Sequence, residues 1–278
     1  MIADDQTNFL YLADTLAINY PDFFKNFERL LLSNNIKLGF LPNTKDIWAV
    51  DYMPIQIDLN RFIRFTYQPT YFITEQDFNS KSDTDLICEK IGINTLKSDI
   101  IFDGGNITHY KNQVIITEQI FKDNPTYDRK KILNNISELL EVEHLYLIPR
   151  QPYDFTGHSD GMVRFLDNTT LLINDYKNES TRFQKTFELA IRKTGLDYIK
   201  VPYNPYDNRS ADEATGDYIN FLQMEDIVFL PIFNKKEDED VVKLFEKVFN
   251  RSTLVTINAN DIAKEGGVLN CISWNIKI

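Results

Sequence analysis

The chain has 278 residues, 43% of them hydrophobic and 26% charged, with a formal net charge of −11 and a pI near 4.8. That apolar content builds a substantial core and excludes a disordered chain, while the acidic balance argues against nucleic acid and favours a cationic ligand. Two cysteines, Cys88 and Cys271, are too few for a disulfide framework, the opening residues lack the basic and apolar regions of a secretion signal, and no apolar run approaches the ~20 residues that span a membrane. The expectation is a soluble cytoplasmic protein with no membrane partner.

In chain order, a helix is predicted over 21–34 and a strand over 36–41. Asp51 follows Trp48-Ala49-Val50 and leads through a turn at Asn60 to a strand over 62–65 and a helix near 83–91. Ile100-Ile101-Phe102 runs into Asp103-Gly104-Gly105-Asn106, with a turn at Lys111-Asn112, a strand over 114–116, a helix over 126–141 and a strand over 145–148. His158-Ser159-Asp160-Gly161 opens a third stretch of the same make-up, with strands over 162–165 and 171–173, a helix over 179–194 and a strand over 198–201. Asn220 opens a fourth, with strands around a Glu225-Asp226 turn, a helix over 236–249 and a strand over 253–257. Apolar residues at helical spacing define the helices, and short apolar runs closed by Pro, Asn or Asp define the strands. Cys271-Ile272-Ser273-Trp274-Asn275-Ile276 is the last strand.

The polar residues that open these stretches are Asp51, Asp103, His158, Asn220 and Cys271, separated by 52, 55, 62 and 51 positions. So regular a beat signals a repeated supersecondary unit. The fifth unit is split, its helix and strand at the N-terminus and its final strand at the C-terminus, which suggests circular closure of the propeller kind. Closure would bring all five openings to one axial pit.

Those residue types carry chemistry. Cys271 follows the pair Gly266-Gly267, which allows close approach to a ligand. Of three histidines only His158 lies between glycines with a carboxylate two positions on, and i and i+2 share a face of an extended strand. Asp51, Asp103 and Asp160 suit a guanidinium, whose planar fork of N–H donors pairs with carboxylates. Cys88 reads as core, and His109 and His144 as strand-edge side chains. No His/Cys cluster has metal-ligand spacing, so no metal is expected.

Trp48-x-x-Asp51-Tyr52-x-Pro54, Asp103-Gly104-Gly105-Asn106, Gly157-His158-x-Asp160-Gly161, Tyr218-x-Asn220 and Gly266-Gly267-x-x-x-Cys271 together resemble the ordered motifs of the agmatine deiminase and bacterial peptidylarginine deiminase family, within the pentein, or guanidino-group-modifying, superfamily. The resemblance implies an α/β fold, a five-bladed pseudosymmetric propeller of ββαβ units, with residues 1–278 as a single catalytic domain. It implies a hydrolase that converts a guanidino compound, agmatine-like or arginine-derived, to a ureido product and ammonia through a covalent thiouronium. Cys271 matches the nucleophile, His158 the acid–base, Asp51 and Asp160 the carboxylates that grip the guanidinium, and Asp103 an acid, usually Glu, that orients the histidine. Asn220, Trp48, Asn106 and Gly267 fall with the substrate. Val50 and Asn270 stand where the family usually has Arg and His. No cofactor is implied, the partner is a small guanidino molecule, and a homo-oligomer is compatible with the reading. An amidinotransferase and a non-catalytic binding module are the alternatives. Arg164 and Arg209 are the cations to seek beyond the guanidinium grip.

Overall fold

The computed structural model describes residues 1–204 and 213–278. Five three-stranded sheets follow one another, and each has an antiparallel pair and then a parallel partner on its middle strand. The first contains Ile55–Asp58, Arg61–Thr66 and Thr95–Ile101. The second contains Thr108–Tyr110, Gln113–Thr117 and His144–Ile148. The third has Val163–Phe165, Thr170–Asn174 and Asp197–Val201, and the fourth Leu222–Met224, Ile227–Ile232 and Thr253–Asn258. The result is the expected five-bladed α/β propeller.

Four of the five parallel crossovers are made through a helix whose buried residues recur every four positions: Phe23, Phe27 and Leu31; Ile132, Ile136 and Leu140; Phe183, Phe187 and Ile191; Val241 and Phe245. That spacing lays one apolar stripe on the sheets. Two of these starts are capped by side chains, with Asp128 accepting from Lys131 N–H and Ser180 from Phe183 N–H. The first sheet uses the shorter helix Thr84–Lys90, which buries Thr84, Ile87 and Cys88. Phe27 is fully buried and meets Phe229 edge-on, so its truncation to alanine would cost about 3–5 kcal/mol.

The split unit closes one strand earlier than the sequence suggests. Phe9–Ala13 is its middle strand and pairs antiparallel with Ser273–Ile276 and parallel with Lys37–Leu41. Closure is fastened to the first unit by Gln56, whose side chain exchanges two hydrogen bonds with the Lys277 backbone, and by Trp274 Nε1–H donating to Pro54 O. The hairpin turns also differ in detail: Lys111 and Glu225 take the left-handed backbone, with φ of 53° and 46°, rather than their Asn and Asp neighbours. Among the described residues no helix is long and apolar enough to cross a membrane.

Candidate active site

The opening residues of the units are not strand residues. Asp51 lies on the short helix Ala49–Tyr52, Asp103 precedes the single turn Gly104–Asn106, and His158, Asp160, Asn220 and Cys271 lie in turns just ahead of their strands. His158 and Asp160 therefore converge through loop geometry, not strand alternation. Glycine makes this possible. Gly157 has φ +72°, and a Cβ at Gly105 would stand 2.6 Å from both Asp51 Oδ1 and His158 Nδ1. Instead Gly105 N–H donates to Asp51 and its carbonyl accepts from Asp160 N–H, both at 3.1 Å.

These residues surround a cavity of about 380 Å³, lined by Trp48, Asp51, His158, Asp160, Asn220, Gly267 and Cys271 among others. His158 is buried between carboxylates, with Nε2 3.0 Å from Asp103 Oδ2 and Nδ1 3.5 Å from Asp51 Oδ1. Burial opposes charging its ring, but Asp51, Asp103 and Asp160 outweigh that and raise its pKa to about 10. At neutral pH it is an imidazolium, a proton donor.

Cys271 Sγ lies 3.2 Å from Asn220 Nδ2 and 3.7 Å from Asp160 Oδ2. Burial, then Asp160 and Asp51, push its pKa well above that of a free thiol. Burial and the neighbouring acids raise Asp51 too, although His158 pulls the other way. Asp160 is raised by burial against the pull of His158 and the Asn270 hydrogen bond. Asn220 and Asn270 both donate to Asp160 Oδ2, at 3.1 and 2.7 Å. The asparagine at 270 is thus a second amide clamp on that carboxylate. Gly267 is obligatory in this packing, since a Cβ there would lie 2.5 Å from the Trp48 ring and 2.9 Å from Cys271 Cβ.

Two expectations change. Asn106 is buried away from the cavity lining; its Oδ1 accepts from Thr117 N–H at 2.8 Å and so braces the turn after Asp103. Arg164 is buried elsewhere, with Nη1 donating to Phe221 O at 2.9 Å and Nη2 paired with Asp4. It lines a smaller cavity with Asp4, Gln56 and Ser273 that Asp160 and Asn270 also border, and its charge opposes the rise in the Asp160 pKa. Arg209 lies outside the described residues. Cys88 is core as expected. His109 is more enclosed than a strand edge implies, and burial lowers its pKa to about 4.

The cavity wall also holds residues without a motif. Asp46, Asp77, Asp154, Glu179, Glu213, Asp217 and Glu265 line it, with Tyr67, Tyr71, Phe72, Tyr153, Phe155 and Tyr203. Among the described lining residues there is no Lys or Arg. Burial raises Asp46 to about 7, and burial with Asp160 and Asp154 raises Asp217 well above its ordinary range. Among the described residues no group of three or more His, Cys, Asp or Glu is arranged to hold a metal. The arrangement can hold a planar cation between carboxylates, with a thiol and a proton donor beside it.

A candidate agmatine deiminase of Photobacterium profundum is 22% identical over 68% of this chain, and the match spans only 61% of that relative. One from Latilactobacillus sakei is 21% identical over 98% of this chain and 87% of its own. The agmatine deiminase of C. jejuni, solved as a cysteine-to-serine variant with substrate bound, shares the fold: TM-score 0.79 at 18% identity, covering 99% of this chain and 95% of that one. The model of the Porphyromonas-type peptidyl-arginine deiminase family matches residues 15–276, and the chain belongs to that family.

Proposed function

We propose that the protein is a cysteine-dependent deiminase that hydrolyses a small guanidino compound to a ureido product and ammonia. The observation that carries this reading is the surplus of buried carboxylate around one thiol and one imidazolium, with no Lys or Arg among the described lining residues. Among the described residues such a site holds more acid than His158 alone can balance, and a guanidinium supplies a second cation with the N–H geometry that Asp51 and Asp160 accept.

The chemistry follows from the contacts. The bound cation reverses the field that Asp160 and Asp51 impose on Cys271 and lets its thiol ionise, the proton leaving to solvent. The thiolate adds to the central carbon of the oriented guanidinium. His158 gives its proton to the departing nitrogen, ammonia leaves, and a thiouronium remains on Sγ. The now neutral imidazole takes a proton from water, the resulting hydroxide adds to the same carbon, and collapse restores the cysteine and frees the ureido product. Asp103 and Asp51 hold the ring between its two states.

The outer wall narrows the substrate. Asp154, Asp217 and Glu265 suit an amine tail better than a carboxylate one, so an agmatine-like diamine derivative is favoured over free arginine. Both cysteines are free thiols, which fits a reducing, cytoplasmic setting.

The test is to incubate the purified protein with agmatine, arginine, a peptidyl arginine and an alkylguanidine, measuring ureido product and ammonia. Agmatine should give equal amounts of both at the highest kcat/KM. No turnover of any guanidine by folded protein would overturn the reading.

A further inference from the structure

The acid beside the imidazole has a second donor. Asp103 Oδ2 accepts from His158 Nε2 at 3.0 Å and from the Tyr71 hydroxyl at 2.9 Å, while its Oδ1 is buried with no partner among the described residues. Two donors on Oδ2 fix which edge of the carboxylate faces the ring.

Tyr71 comes from the connection between Arg61–Thr66 and the helix Thr84–Lys90, the longest strand-to-helix crossover of the five units. This segment gives the cavity wall Tyr67, Tyr71, Phe72, Asp77 and Ser80. It is pinned at Thr70, whose N–H and hydroxyl both donate to Asp123, at 3.1 and 2.7 Å. One residue on, the Tyr71 ring meets Phe155 edge-on at 5.4 Å across the cavity mouth and stands 6.2 Å from the His158 ring. Beyond it Ile73 is 82% and Phe78 48% exposed. Tyr71 is therefore where the rim of the cavity touches the proton-transfer pair.

We propose that Tyr71 is a positioning residue for the reaction: its hydroxyl locks Asp103 against His158 and couples the seating of the rim segment to the proton on the imidazole. The inference rests on the acid–base assignment of His158. Burial and Asp103 raise the Tyr71 pKa well above 10, so the hydroxyl stays a donor across the working pH range. The charged and titratable groups facing His158 are Asp51, Asp103 and Asp160 around the ring, Asp154, which accepts its backbone N–H, and Tyr71 itself. Of these, Tyr71 alone draws on Asp103 Oδ2. Its loss returns the full carboxylate charge to the imidazolium, which then holds its proton to higher pH.

Tyr71→Phe keeps the ring and removes the donor. On the guanidine the protein turns over best, kcat should fall about tenfold with KM within about threefold. The basic limb of the pH profile should move up by roughly half a unit. Tyr71→Ala also deletes the Phe155 contact and should raise KM. NMR titration of the His158 ring in wild type and Tyr71→Phe needs no turnover and should show the same upward shift. An unmoved His158 titration overturns the proposal, as does a Tyr71→Phe enzyme with wild-type kcat and pH profile. A wild type inactive on every guanidine instead sinks the acid–base assignment, and the titration still decides whether Tyr71 governs the ring.

Discussion

The third unit carries two buried cations six positions apart, and they face opposite surroundings. Arg164 is matched within the chain by Asp4 and the Phe221 carbonyl, and its guanidinium stacks on the Phe221 ring at 4.6 Å. His158 meets more acid than it can neutralise: Asp51, Asp103 and Asp160 crowd it, and Asp217, Asp46 and Cys271 line the same cavity and hold their protons to raised pH. A balanced buried pair is structural. An unbalanced cluster of acids is a cost to folding that a bound cation removes, which is how a binding site announces itself.

Asp160→Asn should break this contrast most strongly. It removes one side of the proposed guanidinium grip, and kcat/KM for agmatine should drop roughly 100- to 1000-fold, in line with the loss of one buried, hydrogen-bonded charge partner. Stability should move the other way. The folded protein holds the Asp160 proton more tightly than the unfolded chain does, so the ionised carboxylate weakens the fold as pH rises above the ordinary carboxylate range. At pH 8 the neutral amide should melt at the same temperature as wild type or higher. A lowered midpoint would place Asp160 among the structural acids.

Arg164→Met should do the reverse on a smaller scale. It strands Asp4 and should cost about 3 kcal/mol of stability by denaturant titration, with kcat/KM within about threefold of wild type. A large loss of kcat/KM in the folded variant would mean that the two clusters are not separate.

Much of the fold was legible because four of the five units repeat an apolar stripe with a period of four, as in Phe183, Phe187 and Ile191, and every unit has a polar opening before a short strand. The strand Phe9–Ala13 was not, since its partner Ser273–Ile276 lies at the other end of the chain and no local pattern records closure. Cys271, His158 and Asp160 stood out by type and by flanking glycines. Tyr71, Asp46 and Asp217 did not, because ordinary tyrosines and aspartates acquire a role only from where the loops carry them. Asn106 and Arg164 erred the other way: their chemistry suits a ligand, but the Thr117 amide and the Asp4 carboxylate claim them first.

The central claim is that the described cavity wall holds more acid than His158 balances and that Cys271 becomes nucleophilic when a second cation arrives. Burial and the adjoining acids raise its pKa well above that of an ordinary thiol, so the free enzyme holds little thiolate at neutral pH, and its reaction with a neutral alkylator should climb as pH rises. The decisive measurement is the rate of adduct formation at pH 7 with 2-chloroacetamidine, a cation, against 2-chloroacetamide, its neutral isostere, followed by intact mass and peptide mapping. The account predicts much faster modification by the amidine, confined to Cys271, sparing Cys88 and slowed by agmatine. Equal rates for the two reagents, or adducts at Cys88, would contradict it.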